Sequence, residues 1–305
     1  MEIPVKIFAT GGTGFVGTYL CQSLLNAGHQ LTVLVRSEKK ADDLSSEVSM
    51  IQGDPMRPGE WQNSVAAHDI IINLAGAPIF VRWTDASKQL IRDSRVLSTR
   101  NVVSAIPVHT KPMTLFSTSA VGYYKANLQV ELTEQGPVGD GFLAGVTRDW
   151  EAEAMKAETK GCRVIITRFG IVLGPGGGAL SQMVSTFNKF LGGPLGSGEQ
   201  WFPWIHIEDL ARAYLFLLDR PSITGPVNFC SPNPVQNKDL AKALGKVLGR
   251  PCFMRTPAFV LKAALGEFAS ALLDGHRMVP RKLLDSGFEF KYPALEGALE
   301  EILSK

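Results

Sequence analysis

The stretch Thr10-Gly-Gly-Thr-Gly-Phe-Val-Gly17 constrains this chain more than any other. A short β-leaning run, Val5-Lys-Ile-Phe-Ala9, leads into it, and apolar residues at helical spacing leave it from Phe15 to Ala27. That strand-before, helix-after context raises a weak glycine pattern to a strong one. Glycines in such a turn permit a tight bend, close approach of backbone to a pyrophosphate, and close packing of helix on strand. The helix N-terminus then turns its free N–H groups toward the anion. Both G-x-G-x-x-G from Gly12 and G-x-x-G-x-x-G from Gly11 fit, so spacing leaves the dinucleotide subfamily open.

The pattern downstream repeats the same unit. Leu31 to Val35, Val48 to Ile51, Asp69 to Ala75, Thr114 to Ser117 and Val164 to Arg168 read as buried strands, and a helix pattern runs from about Thr84 to Ala105. Strands alternating with helices of this length require right-handed crossovers and a parallel sheet covered on both faces. The expected fold is therefore α/β, a Rossmann-type doubly wound parallel sheet. The texture changes near Gly170. A glycine- and proline-rich segment reads as a long loop, functional or disordered, carrying Trp201, Phe202 and Trp204. Beyond it the chain looks like a smaller, mostly helical cap. The expected organisation is a nucleotide-binding domain over 1–170 and a substrate-cleft and cap region over 171–305, with a distinct C-terminal segment at about 251–298.

With 31 basic and 29 acidic residues, the net charge of +2 gives no electrostatic reason to invoke nucleic acid or an anionic membrane. Four scattered cysteines without C-x-x-C spacing read as free thiols in a reducing compartment, and no metal site is expected. No apolar run reaches the ~18 residues of a membrane span, and no export signal is evident. The expectations are a cytoplasmic monomer or homodimer with a small-molecule partner.

At the end of the second strand, where an NAD site normally carries an acidic residue, stand Arg36 and Ser37. A guanidinium suits a 2′-phosphate by charge and by its forked donors, so NADP(H) is expected in preference to NAD(H). Glu38 is the nearby acidic residue able to reach a ribose.

These elements resemble the short-chain dehydrogenase/reductase superfamily, in its extended, epimerase-like branch, and more closely an atypical "epimerase family protein" group. The resemblance rests on Thr10 to Gly17, on Asn73-Leu-Ala-Gly76, on Arg168-Phe-Gly-Ile-Val-Leu-Gly-Pro175 and on Trp204-Ile-His-Ile-Glu-Asp209. It extends to the C-terminal "LLDGHRMVPRKLLDSGFEFKYPALEGAL". It implies a cofactor crevice formed by Thr10, Gly11, Gly12, Thr13, Gly14, Phe15, Val16 and Gly17, with Arg36, Ser37, Leu74, Ala75, Gly76, Arg95 and Ile171 around it. Arg95 stands where extended members carry a bracing asparagine.

Active extended members also pair a serine after the fifth strand with a Tyr-x-x-x-Lys on the next helix. The lysine tunes the tyrosine for the proton that accompanies hydride transfer. Ser119 matches the serine, but "GFLAGVTRDWEAEA" (141–154) holds no tyrosine, and no Tyr-x-x-x-Lys occurs anywhere in the chain. Tyr123 and Tyr124 are the candidates to reach the same space, with Arg148 a candidate for the missing positive charge. His206 reads as a structural tether, while Trp201 and Trp204 read as cleft walls. Two functions follow as expectations. One is an oxidoreductase or epimerase on a small polar, sugar-like substrate with altered proton chemistry. The other is a non-catalytic NADPH-binding regulator or cell-division-associated protein.

Overall fold

The structure, a computed structural model, describes residues 4–37, 43–109 and 111–304. Glu38 lies outside the described residues. The N-terminal half supplies β1 (Lys6–Thr10), α1 (Phe15–Asn26), β2 (Gln30–Val35), β3 (Ser49–Gln52), β4 (Ile70–Asn73), α2 (Asp85–Ala105) and β5 (Thr114–Ala120). Then follow β6 (Asn127–Leu132), α3 (Phe142–Met155), β7 (Arg163–Phe169), β8 (Ile171–Leu173), α4 (Gly178–Asn188), β9 (Trp201–Phe202), β10 (Trp204–His206), α5 (Ile207–Leu218) and β11 (Gly225–Phe229). The chain ends through β12 (Val235–Gln236), α6 (Asn237–Leu248), α7 (Ala258–Leu265), α8 (Phe268–Leu273), β13 (His276–Met278), α9 (Arg281–Asp285) and α10 (Leu295–Leu303).

Seven strands form one parallel sheet in the order β11-β7-β5-β4-β1-β2-β3. The direction of winding reverses between β1 and β4, and it is at such a switch point that doubly wound sheets bind ligands. Side chains alternate strictly between the faces. On β1, Ile7 and Ala9 join Leu20 and Leu24 of α1 and Leu210 and Tyr214 of α5 in one core. Phe8 turns the other way, into a second core with Val102 of α2 and Ala154 of α3. Ile71, Leu115 and Val164 follow Phe8, whereas Ile72, Phe116 and Ile165 follow Ile7. This two-residue period, apolar on both faces, is what a sheet covered by helices on both sides requires.

The segment read as a long glycine-rich loop contains α4. Ala179, Leu180 and Phe187 are buried along one helical face, and the flanking glycines had masked that periodicity. Together with α6 and α10, α4 builds a third core around Trp204. A small parallel pair, β6 with β13, ties the C-terminal region to the loop after β5. Among the described residues, no helix is long and apolar enough to cross a membrane, and no group of His, Cys, Asp and Glu is placed to hold a metal.

The glycine turn depends on Gly17, where an added Cβ would stand 2.2 Å from the Gly11 carbonyl oxygen. Both groups are backbone-anchored, so neither yields cheaply. Gly17→Ala is expected to cost about 1–3 kcal/mol or more, read as a lowered denaturation midpoint. A variant as stable as wild type would show that α1 is free to move off the turn.

Candidate cofactor and active site

Gly11 has φ +70°, and a Cβ there would lie 2.7 Å from the Leu74 carbonyl carbon. The turn closes with Gly14 N donating to Gly11 O at 3.1 Å, and α1 begins one residue later. The ends of β1 and β4 are fastened together below it. Thr10 Oγ1 donates to Asn73 Oδ1 at 2.6 Å, Asn73 Nδ2 donates to Thr99 Oγ1 at 2.8 Å, and Leu74 N donates to Thr10 O at 3.1 Å. Thr10 is fully buried, so its side chain holds the crevice in shape and does not face it. Val16 likewise packs onto the sheet core, and Gly12 lies against Val33. Thr13, Gly14 and Phe15 line an open depression with Thr18 and Pro175.

Around this turn the other expected residues gather. Arg36 is exposed and Ser37 half-buried at the end of β2, Ala75 is buried, and Gly76 is exposed beyond β4. Arg95 reaches from α2 to Gly76, whose Cβ position lies 3.1 Å from the guanidinium carbon. Its Nη1 donates to the Ala77 and Ile91 carbonyls, each at 3.0 Å, and burial pushes its pKa down to about 10. Arg95 thus braces the turn after β4 and puts a positive charge at the crevice wall. Ile171 is half-buried on β8, paired with Trp204.

Ser119 stands near the carboxyl end of β5, 1% exposed, and its Oγ donates to Glu151 Oε1 at 2.6 Å. Glu151 is in turn gripped by Arg168, through Nε at 2.8 Å and Nη2 at 2.7 Å, a bidentate pair buried on both sides. Arg168 also donates from Nη1 to the Tyr124 hydroxyl at 2.9 Å, and its guanidinium lies 3.5 Å from the centre of the Tyr123 ring. Burial alone would lower the Arg168 pKa, but the hydrogen-bonded Glu151 carboxylate outweighs it and holds the pKa above the ordinary range. The Tyr124 hydroxyl donates to Asn228 Oδ1 at 2.6 Å, and burial raises its pKa well above the usual tyrosine value.

Two expectations change here. Tyr124 is 2% exposed with its hydroxyl engaged by both Arg168 and Asn228, the position of a beam in the network. Arg148 points outward beside Asp149, its side chain 66% exposed, and brings no charge inside. Sequence reasoning overlooked Glu151 and Arg168 as a site. The signal was present on α3, where Ala144, Thr147, Glu151 and Ala154 fall at helical spacing and are all buried. A carboxylate on the inward stripe of a helix demands a buried cation. Thr147 and Glu151 are the polar one of three buried i, i+4 pairs on α3, beside Val146 with Trp150 and Trp150 with Ala154.

Comparisons with known proteins show the family of the chain. Residues 7–228 match the NAD dependent epimerase/dehydratase family, and residues 256–302 match a domain of unknown function (DUF1731). The chain belongs to the NAD dependent epimerase/dehydratase family. It is 41% identical to the epimerase family protein SDR39U1 homolog, chloroplastic, of Arabidopsis thaliana, over 99% of this chain and 88% of the relative. The crystal structure of human epimerase family protein SDR39U1 (isoform 2) with NADPH matches with a TM-score of 0.85 at 33% identity, covering 98% of this chain and 99% of that one. The UDP-glucose 4-epimerase of Thermus thermophilus, solved as a complex with NAD, shares the fold with a TM-score of 0.75 at 16% identity, covering 98% of each chain.

In this family member a cavity of about 550 Å³ opens between the loop after β4, α4, α6 and the helices α7 and α8. Leu261, Leu265, Phe268 and Leu272 of the C-terminal stretch line it, while Phe259 on the same helix as Leu261 is 74% exposed. Trp204 is fully buried in the third core and is not a cleft wall. Trp201 sits at the edge of β9 with Nε1 donating to Leu128 O at 2.7 Å.

His206 caps α5, accepting the Glu208 N–H on Nδ1 at 3.1 Å, while Nε2 faces Glu301 at 3.1 Å and the ring stacks on Tyr292. Burial lowers the pKa of His206, and likewise of His68 and His276, below the ordinary 6.5. A depressed folded pKa contributes stability above the unfolded value and loses it as pH falls, because the unfolded chain takes up the protons first. Tm is therefore expected to fall as pH drops below about 6.5, ahead of the carboxylate range. The triple His68→Gln, His206→Gln, His276→Gln variant is expected to flatten that limb; an unchanged slope would assign it to other groups.

Proposed function

We propose that the chain is an NADP(H)-binding oxidoreductase or epimerase whose proton chemistry runs through Ser119 and Glu151 and not through a tyrosine–lysine pair. The observation that carries this reading is the crevice at the switch point. There the Gly11–Gly17 turn, the N-terminus of α1, Arg36 and Arg95 offer donors and positive charge on one sheet edge. The NADPH in the human relative's structure supports the same choice. Gly11 to Phe15 would receive the pyrophosphate, Arg36 and Ser37 the 2′-phosphate, and Ala75, Gly76 and Ile171 would flank the rest. When bound, the cofactor supplies a hydride equivalent.

The chain's own part is to manage a proton at the substrate oxygen. The Ser119 hydroxyl donates to the Glu151 carboxyl group, which Arg168 grips through two further hydrogen bonds in a buried setting. Where the substrate hydroxyl is oxidised, its proton passes to Ser119 Oγ as the Ser119 proton passes to the Glu151 carboxylate, and in the reductive direction the same relay runs backward from protonated Glu151. The second reading, a regulator that binds NADPH without turnover, is favoured by one observation, the near-complete burial of Ser119.

The nucleotide choice is tested first. One charge-assisted contact to a 2′-phosphate is worth ~1.5–3 kcal/mol, roughly tenfold or more in affinity. Titrations are expected to give tighter NADPH than NADH binding, with Arg36→Asp erasing the difference. Equal affinities in wild type, unmoved by the substitution, would reject the 2′-phosphate role.

A further inference from the structure

We propose that the cavity under the C-terminal helices binds an anionic amphiphile, a long-chain carboxylate with its apolar body inside and its head at Arg82. Naming it the substrate rests on the oxidoreductase reading; the binding itself does not. The walls come from Phe80, Met183, Phe187, Leu244, Leu261 and Phe268, and Arg82 is the one charged side chain among the lining residues. Of the neutral polar residues there, Asn237 Oδ1 already accepts the Leu195 N–H at 2.8 Å and the Thr186 hydroxyl donates within α4 to Gln182 O at 2.9 Å, which leaves chiefly the Gln182 amide and the Thr256 hydroxyl. A sugar needs a dense set of donors and acceptors, and burying its hydroxyls against these walls would leave them unpaired. An alkyl chain loses nothing there and gains by leaving water.

The charge and the mouth specify the rest. No carboxylate among the described residues pairs with Arg82, whereas Lys88 and Lys238 nearby hold Glu267 and Glu199. Arg82 follows directly on Phe80 and Val81, which line the cavity and are 50% and 40% exposed; Leu191 across the opening is 51% exposed. An apolar rim with a lone cation beside it matches an apolar body with one negative head.

The test uses the full chain without nucleotide and cis-parinaric acid, a fluorescent long-chain carboxylate. A saturable one-to-one rise in fluorescence is expected, reversed by dodecanoate, about tenfold less well by dodecanol, and not by UDP-glucose. Arg82→Gln should weaken dodecanoate about tenfold and leave dodecanol unchanged. Ala241→Phe should abolish both, and Met183→Trp, at a half-buried position on α4, fills the same space where the first variant fails to fold. No fluorescence response, a response that survives both filling variants, displacement by UDP-glucose, or equal affinity for the acid and the alcohol would overturn the proposal. Because nucleotide is absent, these outcomes are independent of the NADPH titration, and loss of one leaves the other standing.

Discussion

Glu151→Ala is expected to destabilise the protein by about 3–5 kcal/mol, because it strands the Arg168 guanidinium in the interior. The pair is bidentate and both side chains are nearly fully buried, so solvent cannot take over the lost contacts. The Ser119 hydroxyl loses its acceptor in the same step. A drop of roughly 10 °C in Tm corresponds to that range for a chain of this size. The control is the double variant Glu151→Leu, Arg168→Met, which removes both charges and roughly preserves volume. It should recover much of the loss, since a buried ion pair replaced by packed apolar groups is often neutral. Glu151→Ala within about 1 kcal/mol of wild type, or a double variant worse than the sum of the singles, would mean that the pair is hydrated or replaced by other contacts.

The distinction between readable and unreadable parts of this chain has a physical basis. β1 and β4 were legible because Ile7-Phe8-Ala9 and Ile70-Ile71-Ile72 are unbroken apolar runs, and a parallel sheet buried on both faces admits little else. The helix over Asp85–Ala105 was legible from its start, where Thr84 Oγ1 accepts the Ser87 N–H. α4 was not, since its apolar face spans only three turns between glycines that locally favour loop. The glycine turn was legible as chemistry because it is contiguous in sequence. The Ser119–Glu151–Arg168–Tyr124–Asn228 chain was not, because its members come from α3, β5, β7, β11 and the turn after β5 and meet only once the sheet has formed. Tyr124 illustrates the limit. Its place beside Tyr123, a few residues after Ser119, made it a candidate for the proton, and only the 2.6 Å contact to Asn228, 104 residues away, reveals a structural part.

Ser119→Ala is expected to lower turnover of any carbonyl substrate the wild type accepts by about 100-fold or more, the usual cost of one donor where charge develops in the transition state. NADPH affinity should be unchanged, because the Ser119 hydroxyl is engaged with Glu151 of α3 and not with the glycine turn after β1. Stability should move little, since Glu151 keeps both Arg168 contacts. Tyr124→Phe should separate from this pattern. It leaves Asn228 Oδ1 and Arg168 Nη1 without their shared hydroxyl, so about 1–3 kcal/mol of stability is lost, while turnover per folded molecule persists. Tyr123→Phe, which keeps the ring over Arg168, should be mild in both respects. NADPH consumption, NADPH titration and thermal melts on the three variants resolve the alternatives. Undiminished turnover in Ser119→Ala would remove Ser119 and Glu151 from the chemistry. Collapse in Tyr123→Phe, with folding and NADPH binding intact, would assign proton transfer to that hydroxyl, the tyrosine beside Ser119 whose oxygen is not engaged in the buried network.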